Sequence, residues 1–282
     1  MATPQRRALV ELHVSTVLLA GPGLFAQLIE LPAATIIAAR SAVATICVVV
    51  VLVALRIRPL IRPGRPLAGA IVTGLLLGLH WVTYFHAVQV SSVAVGMISL
   101  FTFPLLSGLL EPLFGMSRWH GRHLLSGAAV LVGVTIMAKA PAATPEAALG
   151  TGWGIASATC LALRNVVSRR LTRSTSPWQL ALHQYAIATA CGIVLGSSAL
   201  PRVTDFAVEL LVLGAVFTAL AHTLVLRSLV ALTATRAALI SCLQPVYATL
   251  AAYLLLGEEP SPPTLFGGTI VLAVAVHASR RG

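Results

Sequence analysis

The sequence has little acid and almost no lysine. Its 282 residues include eight Asp and Glu, with Asp205 the single aspartate and Lys139 the single lysine. One aspartate excludes an aspartate-rich metal site, and no HExxH, G-x-S-x-G or GxxxxGK[ST] motif occurs. These absences argue against a membrane-embedded enzyme and exclude ATP hydrolysis by a P-loop.

Cysteine is also scarce and scattered. The four cysteines lie far apart in apolar segments and form no C-x-x-C pair; they are Cys47, Cys160, Cys191 and Cys242. Such spacing supports neither a disulfide framework nor a zinc site. We therefore expect no metal and no cofactor.

Charged residues are few compared with apolar ones. They make up 10% of the chain against 57% hydrophobic residues, and the mean hydropathy is +0.92. A soluble domain is about 25% charged, so this chain predicts an all-α integral membrane protein. The net charge of +11 raises the question of nucleic acid. No basic stretch interleaves with aromatics, so we expect no nucleic-acid partner.

Apolar runs long enough to cross a bilayer fill most of the chain. A spanning helix needs about 20 mostly apolar residues. Breaks at charged, proline and glycine residues predict ten transmembrane helices, at about 12–30, 32–55, 67–88, 91–114, 121–138, 150–171, 177–199, 205–229, 233–256 and 263–279.

The arginines indicate the orientation of these spans. With the N-terminus inside, thirteen arginines fall at inner loops and ends, whereas the outer loops carry only Lys139 and Arg202. The positive-inside rule then predicts a multi-pass protein of the cell (inner) membrane with both termini cytoplasmic.

The two halves of the chain align after a shift of 141 residues. Five spans in each half make the halves run in opposite senses, which predicts two inverted five-helix repeats, 1–140 and 150–282. The link at 139–150 joins them. The aligned pairs are Pro104 with Pro245, Gly127 with Gly268, Ser92 with Thr233, and His86 with Arg227.

Two stretches carry a family resemblance. AARSAVA (38–44) and LISCLQPVYATLAAYLLLGEEPSPPTLFGGTIVLAVAV (239–276) resemble EamA-type members of the drug/metabolite transporter superfamily. The resemblance covers essentially the whole chain and implies ten spans and transport of small organic molecules. The first half departs from the pattern, because Ser117 stands at the position equivalent to Glu258.

Ionisable and aromatic residues within the spans are the candidate substrate-binding residues, because charge inside a membrane is costly. Arg40 would attract a carboxylate or other anion; alternatively it bonds backbone carbonyls or a loop acid. His80, Trp81 and Tyr84 share one helix face that suits a planar or amphipathic molecule. The alternative for this face is an aromatic belt at the outer interface.

Four further candidates lie in the second half: Asn165, His222, Gln244 and Tyr247. Asn165 lies beside a polar stripe that contains Arg164 and indicates an interior or water-facing side of the helix. For Arg164 itself we favour the alternative, that it snorkels toward the cytoplasmic end with Arg169. His222 is either a site residue or a hydrogen-bonded core histidine. Gln244 and Tyr247 flank a mid-span proline that frees a backbone carbonyl for substrate or water, or simply kinks the helix.

Glu111 lies between two prolines in the apolar run LFTFPLLSGLLEPLF (100–114). One interpretation is an interfacial carboxylate paired with Arg118 or Arg122. The other is an inner gate or a proton-coupling acid.

These observations predict a secondary active transporter, an exporter of small organic metabolites or drugs that works by alternating access. The arginines favour amino acids or other carboxylate compounds. A channel or scaffold is the alternative, and an enzyme is disfavoured. The expected partners are the small-molecule substrate and the lipid bilayer. GxxxG patterns at 74–78, 150–154 and 192–196 fit contacts within the chain, a homodimer, or both.

Overall fold

The computed structural model describes residues 4–22, 25, 29–138, 144–256 and 259–280. Within these ranges the backbone is helical apart from short connections, and no strand occurs. The α-helices are α1 (Pro4–Leu19), α2 (Ala33–Ala54), α3 (Arg65–Val90), α4 (Val93–Leu100), α5 (Phe103–Leu113), α6 (Gly121–Met137), α7 (Pro145–Leu171), α8 (Pro177–Gly196), α9 (Ala207–Gly214), α10 (Ala221–Ser228), α11 (Ala234–Ser241), α12 (Gln244–Leu256) and α13 (Pro262–Arg280).

Several of these helices have the length and composition of membrane spans. Among the described residues five stretches qualify, and they are Ala33–Ala54, Arg65–Val90, Val93–Leu113, Arg202–Ser228 and Pro262–Arg280. Large apolar side chains such as Ile46, Val50 and Val53 are exposed along the outside of α2. The predicted all-α membrane architecture is therefore confirmed, whereas the ten-span count and the inverted repeats stay predictions.

The first predicted span differs from the structure. The sequence predicts a helix over 12–30, but α1 begins at Pro4 and ends at Leu19. Gly21 follows in a close contact, since a Cβ there would lie 2.4 Å from Cε1 of Phe217. Two features named from the sequence lie outside the described residues: Glu258, and residues 139–143 of the 139–150 link.

Two predicted spans are each interrupted ahead of a proline. α4 ends at Leu100 and α5 begins at Phe103, next to Pro104. In the same way α11 ends at Ser241 and α12 begins at Gln244, next to Pro245. Proline lacks the N–H that would continue the helix and restricts the residue before it, so a break here is expected.

The starts of these interrupted spans also match. The Ser92 hydroxyl accepts a hydrogen bond from the Val95 N–H at 3.2 Å, and the Thr233 hydroxyl accepts one from the Arg236 N–H at 3.1 Å. Both are N-caps of the helix that follows. The two caps, like the two breaks, are 141 residues apart in the sequence.

The eighth predicted span is not a continuous α-helix. A 3₁₀ segment (Ser197–Phe206) precedes α9, and a π-helical segment (Ala215–Leu220) separates α9 from α10. π-helical turns are rare and concentrate at functional sites. This one carries Thr218, which contacts the candidate site described below.

The glycine patterns are used within the chain. α3 packs along α7 and α8, and α2 packs along α8. Close contacts at the three patterns pair Gly74 with Ile187, Gly78 with Cys191, Gly150 with Ser91, Gly154 with Ser99, and Gly192 and Gly196 with the backbone of Ala34, Thr35 or Ala38. All three patterns therefore bring helices of one chain together.

Replacing Gly214 with alanine is expected to destabilise the protein. A Cβ at Gly214 would lie 2.5 Å from the Val43 Cβ and 2.8 Å from the backbone oxygen of Arg40, so α2 must shift. Such overpacking costs about 1–3 kcal/mol. Thermal unfolding in detergent measures the change. Gly152→Ala is the control, because a Cβ there meets nothing within 4 Å. Equal melting temperatures for both variants would contradict the prediction.

Candidate functional site

Arg40 lies in the interior of the helix bundle. Its side chain on α2 is 4% exposed. Its Nε donates a hydrogen bond to the Thr218 hydroxyl at 3.0 Å, and its guanidinium carbon lies 4.4 Å from the centre of the Trp81 ring. The Thr218 hydroxyl donates in turn to the Leu213 carbonyl at 2.7 Å. Arg40 is therefore held by a neutral hydroxyl and an aromatic face, a cation–π contact.

Arg164 is a second buried arginine, 1% exposed on α7. Its Nε and Nη2 donate to the Gln184 Oε1 at 2.9 and 2.6 Å, and its Nη1 donates to the Asn165 Oδ1 at 3.0 Å. The predicted snorkelling toward the cytoplasmic end with Arg169 is wrong, because the Gln184 and Asn165 amides offer the guanidinium acceptors in the interior.

Imidazole and indole rings surround the two arginines. The Trp81 and His222 rings meet edge to face, with centres 5.3 Å apart. His80 Nδ1 lies 2.7 Å from the Ser157 hydroxyl, which itself donates to the His80 carbonyl at 2.9 Å. Thr218, which accepts the hydrogen bond from Arg40, also contacts Tyr185, the chain neighbour of the Gln184 that holds Arg164. The predicted residues Arg40, His80, Trp81, Asn165 and His222 thus lie in one region.

Two residues of this region were missed by the sequence analysis. Gln184 anchors Arg164, and the Tyr185 hydroxyl lies 3.1 Å from the Thr223 hydroxyl and 3.4 Å from the Thr218 carbonyl oxygen. The signal that would have found them is the polar run HQY (183–185) inside an apolar span. We call Arg40, Trp81, Arg164, Tyr185 and His222 the arginine cluster.

No described carboxylate pairs with either arginine of the cluster. Glu11 pairs with Arg7 and Arg227, Glu111 with Arg169, and Asp205 with Arg202. The other described acids are exposed or half-buried, and they are Glu30, Glu146, Glu209 and Glu259. Burying a charge without a counter-charge is unfavourable. The arginine cluster therefore has the electrostatics of an anion site.

Three predicted residues lie apart from these contacts. Tyr84 is half-buried and meets Phe85 edge to face at 5.9 Å. The Tyr247 hydroxyl lies 3.2 Å from His13 Nδ1 on α1. Gln244 begins α12 and is half-buried.

Glu111 has a fully buried carboxylate whose oxygens are all engaged. Arg169 Nη1 donates to it at 2.5 Å, and the Thr235 hydroxyl donates at 2.6 Å. The backbone N–H groups of Ala234 and Thr235 donate at 2.8 and 3.2 Å. The carboxylate thus caps the first turn of α11, where free N–H groups and the positive end of the helix dipole favour an anion.

The predicted pairing of Glu111 with Arg118 or Arg122 is therefore wrong. Those arginines are neighbours in sequence, but the carboxylate faces α7 and α11 instead. A second ion pair of this kind joins Arg227 on α10 to Glu11 on α1 at 2.5 Å. In both pairs the acid belongs to the first half of the chain and the arginine to the second.

The second half of the chain matches a known family. Residues 148–279 match the model of the EamA-like transporter family. An uncharacterized transporter of Archaeoglobus fulgidus is 27% identical over 226 residues, 78% of each chain. The second half of the chain therefore belongs to the EamA-like transporter family. The predicted family is thus confirmed, and the protein is a multi-pass membrane transporter.

A solved structure shares the fold of this EamA-type transporter. This crystal structure superimposes with a TM-score of 0.81 at 19% sequence identity, covering 96% of both chains. At that identity the match shows a common helical architecture and says nothing of the substrate.

Proposed function

We propose that this EamA-type transporter is a secondary exporter of small carboxylate-bearing metabolites, amino acids among them, and that it works by alternating access. One observation carries the proposal: Arg40 is 4% exposed and its only hydrogen bond within the described residues uses Nε. The other guanidinium nitrogens have no partner in the part of the chain that the structure describes and can bind a carboxylate, and a charge-assisted bond there is strong.

The proposed architecture is ten spans in two inverted repeats, 1–140 and 150–282, with both termini in the cytoplasm. The equivalent helix breaks and the equivalent N-caps support it. In transporters built this way the substrate site lies near the bilayer midplane, between the repeats. Arg40 and Trp81 of the first half contact Thr218 and His222 of the second, which fits such a site.

The proposed roles of the site residues follow from their contacts. Arg40 binds the carboxylate, and the Trp81 and His222 rings, which meet at 73°, form an aromatic corner for the rest of the substrate. His80 lies beside these rings, fixed by Ser157. Asn165 orients Arg164. We propose that Tyr84, Gln244 and Tyr247 contact the substrate at other points of its route.

Glu111 is proposed as an inner-gate residue. It joins α5 of the first half to α7 and α11 of the second, and the Glu11–Arg227 pair makes another contact between the halves. Opening toward the predicted cytoplasmic side would require these bonds to break. Proton coupling through Glu111 is the second candidate role, and its four hydrogen-bond donors favour the gate, because a protonated carboxyl would lose several of them.

A homodimer is also proposed, with an interface that does not use the GxxxG patterns. All three GxxxG patterns are used within the chain, so a dimer would form through another surface. A surface of exposed apolar side chains such as those of α2 is available.

The proposed function predicts saturable, gradient-driven flux of carboxylate compounds in proteoliposomes. We would load amino acids, organic acids, neutral drugs and cationic drugs, each with and without a pH gradient. Uptake of carboxylates that saturates at high concentration is expected. Flux restricted to cationic or neutral drugs would overturn the carboxylate assignment, and flux that rises linearly would indicate a channel.

A further inference from the structure

We propose that the arginine cluster selects substrates with two negative charges, and that Arg164 is the residue that sets this preference. The inference rests on the proposed function, because it concerns the same site. It gives Arg164 a role in transport, whereas the proposed function uses only Arg40 to bind the carboxylate.

Arg164 has no counter-charge among the described residues. Its three hydrogen bonds go to the amide oxygens of Gln184 and Asn165, which are neutral. Gln184 is itself fixed by a bond from its Nε2 to the Ser168 hydroxyl at 3.0 Å. The amides hold the guanidinium in place but do not neutralise it, so its field extends into the low-dielectric surroundings.

The fields of the two arginines overlap. Arg40 bonds the Thr218 hydroxyl, the Thr218 carbonyl accepts a hydrogen bond from Tyr185, and Tyr185 directly follows Gln184, which holds Arg164. A substrate held by Arg40 against the ring of Trp81 therefore also lies in the field of Arg164. At 1% exposure Arg164 acts through that field and not by contact, so it is a specificity-determining residue.

The chain offers little else to balance these charges. Each described acid is paired with another arginine or lies at least partly exposed. A bound monoanion would balance one of the two guanidinium charges, whereas a dianion balances both. The substrate class that fits is a small organic dianion with a dicarboxylate as the simplest member.

The test compares two molecules of the same size that differ by one charge, succinate and its monoamide succinamate. Each is used to inhibit carboxylate flux by the full-length protein in proteoliposomes at neutral pH. We expect the wild type to prefer succinate by about tenfold or more, the size of effect that one partly screened unit charge produces.

Substitutions at Arg164 show whether the succinate preference depends on the charge of this side chain or on its shape. Arg164→Gln should reduce the succinate preference to near unity, and Arg164→Lys should retain most of it. The ratio of inhibition by succinate to inhibition by succinamate is measured within each variant. A lower amount of folded protein affects both inhibition measurements equally and does not change this ratio. Equal inhibition in the wild type, or an undiminished preference in Arg164→Gln, would overturn the inference.

The outcomes also distinguish this inference from the proposed function. Equal inhibition by both molecules would leave a carboxylate exporter without selection for dianions. No inhibition by either, with no carboxylate flux, would remove the proposed function itself. If Arg164→Gln does not fold, the wild-type ratio still decides whether the site prefers dianions, and Arg164→Met, which also removes the charge, takes its place in testing the role of Arg164.

Discussion

Alanine at Arg40 is expected to weaken carboxylate binding, and with it saturable carboxylate transport, strongly. The substitution removes the one guanidinium in the cluster that has nitrogens free for a ligand, since Arg164 is engaged by Gln184 and Asn165. A hydrogen bond to a charged group contributes about 1.5–3 kcal/mol, which corresponds to roughly a 10- to 100-fold loss of affinity. The measurement is flux against substrate concentration in proteoliposomes, normalised to the amount of folded protein.

Two control variants show whether the loss comes from the charge. Arg40→Lys keeps the charge but loses the planar fork, so it should retain partial transport with a raised KM. Arg122→Ala removes an exposed arginine of the first half and should transport like the wild type. Transport of neutral drugs that survives in Arg40→Ala, without any carboxylate flux in the wild type, would make Arg40 a structural residue.

Three members of this cluster were predictable from the sequence, but their contacts were not. Arg40, Trp81 and His222 stand out because polar and ionisable residues within an apolar span are rare. Their contacts join residues far apart in sequence, as when Arg40 bonds Thr218 across 178 positions. Hydropathy places residues in spans but does not say which faces of different spans meet.

Arg164 and Glu111 show why local sequence misleads inside a bundle. For Arg164, nearby cytoplasmic arginines suggested snorkelling, but an amide from another helix supplied an acceptor in the interior. For Glu111, the nearest arginines in sequence were the expected partners, but the carboxylate bonds Arg169 and the first turn of α11. In both cases a long-range acceptor or donor outcompeted the local one.

The helix breaks, by contrast, could be inferred directly. Pro104 and Pro245 lie at equivalent positions, and the helix is interrupted just ahead of each proline. The reason is local, because proline restricts its own residue and the one before it regardless of tertiary context. The π-helical segment around Thr218 has no comparable sequence signature.

Glutamine at Glu111 is expected to be the most destabilising of the conservative substitutions considered. It leaves Arg169 without its counter-charge and turns an amide toward the N–H groups of Ala234 and Thr235. Breaking a buried ion pair costs about 3–5 kcal/mol, and loss of a helix cap adds about 1 kcal/mol. Thermal unfolding of purified protein should show a clear decrease in Tm.

Two matched variants show how much of the lost stability comes from the ion pair and how much from the helix cap. Arg169→Gln removes only the ion pair, and Thr235→Val removes only the hydroxyl bond to Glu111, so each should cost less than Glu111→Gln. If Glu111 is the gate, both Glu111→Gln and Arg169→Gln should speed exchange of substrate across the membrane while the pH dependence is kept. A variant Glu111→Gln of wild-type stability that loses only the pH dependence would instead make Glu111 the proton-coupling acid, because charge and not the contact between halves would then be what transport requires.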